Sequence, residues 1–204
     1  MTTLQALPPS VVDVVFPVLG HSLLRDHGQA LQQALCAQWP WLNADTHAGI
    51  HPIKLVPGSE PIALLSRRST LLLRVSRQRA DELMALPGLN LSVSGHPLDL
   101  GTPHLRELIP HATLYAYKVA ASSADEIDFM AAVSLALTEL AIGGERVCGK
   151  RHHMACSSGE LNTFSLMLHA LPPEQSVRLQ QHGIGPHRLL GCGIFVPHKS
   201  AAAV

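Results

Sequence analysis

"SVRLQQHGIGPHRLLGCGIFVPHK", residues 176–199, runs from a helical pattern through four glycines into a short apolar strand. Pro173 just ahead suits a helix start, and Gly183 suits its end. "LLGCGIFVP" (189–197) then reads as a strand. Gly183, Gly185, Gly191 and Gly193 leave the backbone bare in between, with His187, Arg188 and Lys199 beside it. Two readings stay open. The glycines can serve a tight helix-to-strand connection and nothing more. They can also form a nest of backbone N–H groups that a phosphodiester chain approaches, with the cations completing the grip. A dinucleotide fingerprint is excluded, because that motif follows a strand and opens a helix, the reverse order. A nucleoside-triphosphate loop is excluded by the lack of G-K-[ST].

Upstream, "ATLYAYKVA" (112–120) reads as a strand and "ADEIDFMAAVSLALTELAI" (124–142) as the longest helix, with acids in its first turn and Gly143-Gly144 as its stop. "ERVCGKRHHMACSSGE" (145–160) has weak periodicity and reads as a loop or irregular hairpin; "TFSLMLHAL" (163–171) is a strand. The first half gives a strand at 11–19, a helix at 26–39 that Asp26 could cap, and a strand at 49–58. Residues 61–76 read as strand broken near Arg67-Arg68, 77–86 as a helix ended by Pro87-Gly88, and 89–101 as a hairpin with Gly95 in its turn. Each half is therefore read as β-α-β-β-α-β, an α+β fold of tandem ferredoxin-like units. The expected organisation is a loose leader over 1–10, one unit over 11–110 and a second over 111–204, facing each other across a cleft.

The chain has 204 residues, 47% hydrophobic and 15% charged, so it can bury a core. With 15 basic and 15 acidic residues the formal net charge is zero, which excludes a bulk basic surface; any nucleic-acid face must be local. Aromatics are only 4%, so base stacking cannot dominate recognition. Residues 1–10 lack the basic start and apolar run of a secretion signal, and no apolar stretch is long enough for a bilayer. A cytoplasmic chain with reduced thiols and no membrane partner is expected.

"SVRLQQHGIGPHRLLGCGIFVPHK", together with "RDHGQALQQAL", "GIHPI", "LLSRRSTLLLRV" and "ATLYAYKV", resembles the CRISPR-associated endoribonucleases that cut precursor CRISPR RNA inside its repeats. They belong to the repeat-associated RNA-binding superfamily with a C-terminal glycine-rich loop, and the resemblance is to a branch associated with type I systems. It spans roughly residues 11–199. It implies metal-independent cleavage: the ribose 2′-OH attacks its own 3′ phosphate in line, leaving a 2′,3′-cyclic phosphate and a 5′-OH. It also implies continued binding of the mature crRNA repeat stem, as a subunit of a type I interference complex with other subunits as partners. The alternative is a non-catalytic crRNA-binding subunit of the same complex.

Such chemistry calls for an imidazole, whose reference pKa is about 6.5. His27 in "RDHG" and His51 in "GIHPI" are the catalytic candidates, with His21 and His47 behind them. Each could instead be an ordinary polar or core histidine. Expected RNA contacts are Arg25, Lys54, Arg67, Arg68, with Arg74 further along the strand, then Arg146, Lys150, Arg151, His187, Arg188 and Lys199. The bland alternatives are an exposed turn at 67–68 and a solvated loop at 145–160. Tyr115 and Tyr117 lie in the second half, so a tyrosine helper would have to reach across the cleft. No cofactor is expected. Cys148, His152, His153 and Cys156 have zinc-binding types, but C-x3-H-H-x2-C is not a familiar spacing, so a zinc-stabilised interaction domain is a minor reading and no metal ligand is assigned.

Overall fold

The computed structural model describes residues 9–85, 88–156 and 159–199. The expected leader at 1–10 lies outside the described residues except for its last two, and Pro87 also lies outside them. The element order is β1 (Val11–Leu19), β2 (Ser22–Leu24), α1 (Gly28–Gln38), β3 (Gly49–Ile50), β4 (Ile62–Leu64), β5 (Thr70–Ser76), α2 (Arg77–Met84), β6 (Leu89–Val93), β7 (His96–Leu100), β8 (His104–Arg106), β9 (Leu114–Ala121), α3 (Glu126–Glu139), β10 (Glu145–Cys156), β11 (Gly159–His169), α4 (Pro173–His182) and β12 (Val196–Pro197). Short 3₁₀ turns occupy Pro40–Asn43 and Arg188–Leu190.

The two halves repeat one topology. In the first sheet the order is β3-β5-β1-β7-β6, with β8 pairing the free stretch of β1; in the second it is β10-β11-β9-β12. In both, the unit's first strand is central and its neighbours on either side come from the third and fourth strands of the β-α-β-β-α-β run. This is the tandem ferredoxin-like α+β fold. Each sheet buries one face under its own helices. Val14, Phe16, Leu71, Leu73 and Val75 meet Leu31 and Leu35 of α1 and Leu83 of α2 in one core. Leu114, Ala116, Val119, Phe164, Leu166 and Leu168 meet Phe129, Val133 and Leu137 of α3 and Leu179 of α4 in the other. Full burial of each such side chain contributes about 1.5–3 kcal/mol.

Local chemistry sets several boundaries. Asp125 caps α3, its carboxylate accepting from the Ile127 and Asp128 backbone N–H groups. Ser94 and Gly95 both take positive φ, giving the two-residue turn that β6 and β7 need. Asp26 does not cap α1; the cap position is His27, without a side-chain cap bond. The expected strand at 49–58 is confined to Gly49–Ile50, because Pro52 and Pro57 cannot donate to a ladder. The expected strand at 189–197 is likewise confined to Val196–Pro197. Residues 145–156, expected as a loop or irregular hairpin, form a long strand paired with β11 through one bulge.

One buried arginine ties the halves together. Arg74 of β5 is 1% exposed and donates to both carboxylate oxygens of Asp13, at 2.8 and 3.2 Å. Its Nη1 also donates to the carbonyls of Gln180 (2.9 Å) in α4 and Phe195 (3.0 Å) after the glycine loop. The expectation that Arg74 grips phosphate is therefore corrected: it is spent inside the molecule. No helix among the described residues is long and apolar enough to cross a membrane.

Candidate nucleic-acid interface

The glycine-rich loop folds onto itself. A Cβ on Gly193 would overlap the carbonyl oxygen of Ile184, and one on Gly183 would overlap both the Arg188 guanidinium and the Gly193 carbonyl. Both residues have positive φ, +65° and +66°. Gly191 lies under Pro52 and the Ile50 carbonyl. Gly185 alone of the four has ordinary room around it, its nearest neighbours being at 3.7–3.8 Å. The bareness expected to cradle an RNA backbone is thus filled at three of the four positions by protein.

Arg188 explains the loop's shape. Its guanidinium donates to the carbonyls of His182 (2.5 Å), Gln181 (3.2 Å), His47 (3.0 Å) and Ala48 (3.4 Å). It fastens the end of α4 to the residues before β3. Burial, with Arg74 nearby, pulls its pKa down to about 10. In this structure Arg188 is a clasp rather than a phosphate ligand, contrary to expectation. His187 and Lys199 are exposed.

The two histidine candidates are withdrawn from solvent. His27 is 3% exposed. Its Nδ1 bonds the Leu24 carbonyl at 2.9 Å, and its Nε2 accepts from the Ile53 N–H at 3.1 Å. Those two bonds fix a neutral tautomer with the proton on Nδ1. Burial lowers its pKa below the ordinary value despite the carbonyl of Leu24. His51 is 8% exposed, with its Nε2 3.7 Å from Asp13. Burial likewise lowers its pKa, against the pull of Asp13. Asp13 is held ionised far below the usual carboxylate range, because Arg74 and His51 overcome the cost of its burial, and Arg106 adds a contact at 2.6 Å. His27 has both nitrogens engaged, and Nε2 of His51 is buried 3.7 Å from Asp13, which departs from the expected catalytic placement.

Other expected contacts divide. Arg25 donates to the carbonyls of Glu60 (2.7 Å) and Val56 (3.0 Å), pinning the 56–60 loop. Lys54 is exposed. Arg67 and Arg68 are exposed in a tight turn at the expected strand break, between β4 and β5, with Ser66 and Ser69 closing it. Arg146, Lys150 and Arg151 are exposed on β10, and Arg151 reaches the Ala124 carbonyl at 3.3 Å. Among the described residues no group of three or more His, Cys, Asp or Glu side chains could hold a metal ion.

Sequence reasoning missed the way the second sheet gathers its cations. β11 is the middle strand, and Phe164, Leu166 and Leu168 face the helices. Both neighbours bulge opposite Ser165. On β9 the register passes from Ala116 to Val119, and on β10 from Cys148 to Arg151. Each bulge places two residues against one. Tyr117 and Lys118 therefore flank Ser165 on one side, Gly149 and Lys150 on the other. A Cβ on Gly149 would run into the Ser165 hydroxyl, so the two strands are close there. His152 pairs Thr163 on the same, helix-free face, whose far end packs on the glycine loop through Met154, Leu161, Leu190 and Cys192. The signal was in "LYAYKVAA": the apolar alternation of β9 slips by one residue at Tyr117-Lys118.

A family model described as "Cas6 Crispr" matches residues 12–200. The chain belongs to the Cas6 family. It is 34% identical over 194 residues to the CRISPR-associated endonuclease Cas6 of Myxococcus xanthus (strain DK1622), covering 95% of this chain and 84% of that one. Among solved structures, a CRISPR-associated protein Cas6 superposes with a TM-score of 0.66 at 9% identity, covering 93% of this chain and all of that one (100%). A Cas6-related protein from Pyrococcus furiosus gives 0.60 at 10% identity, over 91% and 98% of the two chains. A CRISPR endoribonuclease Cse3 bound to a 19-nucleotide RNA gives 0.51 at 13% identity, over 92% and 98%. At those identities the structures speak for the Cas6 fold alone.

Proposed function

We propose that this chain cuts precursor CRISPR RNA within its repeats and then keeps hold of the mature repeat stem as a subunit of a type I interference complex. As a Cas6 protein it is an endoribonuclease. The proposed reaction needs no metal. The ribose 2′-OH attacks the adjacent phosphorus, the P–O5′ bond breaks, and a 2′,3′-cyclic phosphate and a 5′-OH remain. Its partners are CRISPR repeat RNA and the other subunits of that complex, and we place the work in the cytoplasm. We read the chain as two units, 11–110 and 111–204, with RNA held between and beside them.

The observation that carries the RNA reading is the clustering of cations in a chain of zero net charge. Lys118, Lys150 and His152 share one face of the second sheet, while Arg146 and Arg151 stand on the same hairpin. A locally basic sheet face beside few aromatics favours phosphate and shape recognition over stacking. The test is incubation with the cognate repeat RNA in EDTA, with binding read in the same samples. A cyclic-phosphate product supports the proposal; a protein that neither binds nor cuts its own repeat overturns it. A second reading, a non-catalytic RNA-holding subunit, is favoured by the engagement of both His27 nitrogens. Binding without cleavage would establish that reading instead.

A further inference from the structure

Two open cavities adjoin at Asp45 and Thr46. One, of about 510 Å³, lies between Gln32 and Asn43 on one side and Gly185 and His187 of the glycine-rich loop on the other. The second, of about 780 Å³, lies at the start of α2, with Trp41, His47, Gln78 and Arg79 in its wall. Asp45 and Thr46 line both, so one trough runs from the glycine-rich loop to α2. Asp45 is fixed there, its carboxylate accepting from the backbone N–H groups of His47 (2.9 Å) and Ser76 (3.0 Å). The chain has two tryptophans, and the fold uses them differently. Trp39 is 4% exposed and packs on Phe16, with ring centroids 6.2 Å apart. Trp41 is half-buried at the trough wall, with the Arg79 guanidinium 5.4 Å from its ring centre. Arg79 also pairs with Glu82 one turn on, where both side chains are 46% exposed and such a pair contributes little. Arg74 and Arg188 are enclosed by carbonyl acceptors; Arg79 stands at the surface over an indole.

We propose that this trough takes a single-stranded segment of the repeat RNA, and that Trp41 and Arg79 hold one unpaired base of it. The proposal rests on the RNA-binding reading and adds a place where a nucleotide outside the stem is read. Every base has a π-face, and a guanidinium plane or an indole ring gives it a stacking surface. The Arg79 guanidinium already lies over an indole, so an incoming base meets a cation–π pair assembled before binding. Less ordering on binding leaves more of the contact as affinity. The lining also favours a base over a phosphate. Asp45 and Asp81 belong to the same wall, and carboxylates repel a phosphate but accept from the exocyclic amino group of adenine, cytosine or guanine. The nucleotides next to that base then run past His47 toward His187, the imidazoles that line the two parts of the trough. One such platform is enough, which fits a chain with 4% aromatics.

The test is binding of the cognate repeat RNA to the wild type, Arg79→Ala and Arg79→Lys, with cleavage read in the same samples and single abasic riboses placed in turn at each unpaired position. Arg79→Ala is expected to weaken binding about 10-fold. Arg79→Lys is expected to lose nearly as much, because an ammonium keeps the charge and lacks the plane. One abasic position should weaken wild-type binding by a similar factor and cost Arg79→Ala nothing further. Because Arg79 is exposed, its loss leaves the fold intact, which far-UV circular dichroism checks. If Arg79→Lys binds as the wild type does while Arg79→Ala does not, Arg79 holds a phosphate and the base site is overturned. If both variants bind within about twofold of the wild type, the site is overturned and the RNA reading survives. If the wild type does not bind its own repeat, both fall.

Discussion

Arg74→Met should cost more than any surface change and should uncouple the two halves. Arg74 makes two bonds to Asp13 and one each to the carbonyls of Gln180 and Phe195. Removing one partner of a buried ion pair costs about 3–5 kcal/mol. Arg106 still touches Asp13 at 2.6 Å, which places the pair's share at the low end. Two buried acceptors are also orphaned, at about 1–3 kcal/mol each before relaxation. The expected loss, from the low end of each contribution, is about 5 kcal/mol, a large part of the roughly 5–15 kcal/mol of a typical domain. In urea, with a slope of about 2–3 kcal/mol per molar, the midpoint should fall by about 2 M. Trp39 and Trp41 both lie in the first half, so their fluorescence follows that half while circular dichroism follows the whole chain. In the variant the two curves should separate. Adding Asp13→Asn should recover about 1 kcal/mol, because the stranded carboxylate is gone. A shift under about 0.3 M with coincident curves would refute the reasoning.

The glycine loop and the buried histidine give further tests. Gly193→Ala should destabilise by more than about 3 kcal/mol, since positive φ alone costs about 1–2 kcal/mol and the Cβ must also displace the Ile184 carbonyl. Gly185→Ala, at φ +76° but with room, should cost only the backbone penalty, about 1–2 kcal/mol; thermal melts that rank the two equally would sink this account of the loop. His27 is held neutral with a lowered folded pKa, so it contributes stability above its unfolded pKa of about 6.5 that is lost as pH falls below it. His27→Gln should therefore flatten the stability-versus-pH slope below about pH 6.5, by at most about one proton; an unchanged slope from urea melts at several pH values would contradict the assignment.

The helices were legible because their faces carry the pattern. Phe129, Val133 and Leu137 of α3 recur every four residues and are the buried ones. Strand β10 was not legible for the opposite reason. Its sequence "ERVCGKRHHMAC" lies on a sheet edge, where most of its side chains meet solvent, and its bulge breaks what alternation remains. The two-residue β3 and β12 were overrun because the segments beyond them are buried without being strands. Ile53, Cys192, Ile194 and Phe195 look like strand interiors only because they fill space between elements. Burial and ladder pairing usually coincide, and a single sequence cannot show where they part.

The same distinction governs the site. A basic residue beside glycines announces an anion only if its donors point outward. Arg188 sits in such a setting, and its donors close on four backbone carbonyls. Arg25 and Arg74 follow suit, so the cations flanked by the most suggestive sequence are the ones consumed by the fold. A buried carbonyl with no strand partner needs a donor, and an arginine with five of them satisfies several at once. Lys118 and Lys150 lie in the bulges opposite Ser165, outside the regular ladder, and the Lys118 carbonyl takes its bond from the Gly193 N–H instead. Lys150 is exposed there and Lys118 partly so. In a chain of zero net charge, the cations available to RNA are therefore sought where side chains are not spent on loop carbonyls, and the double bulge at Ser165 brings two of them together.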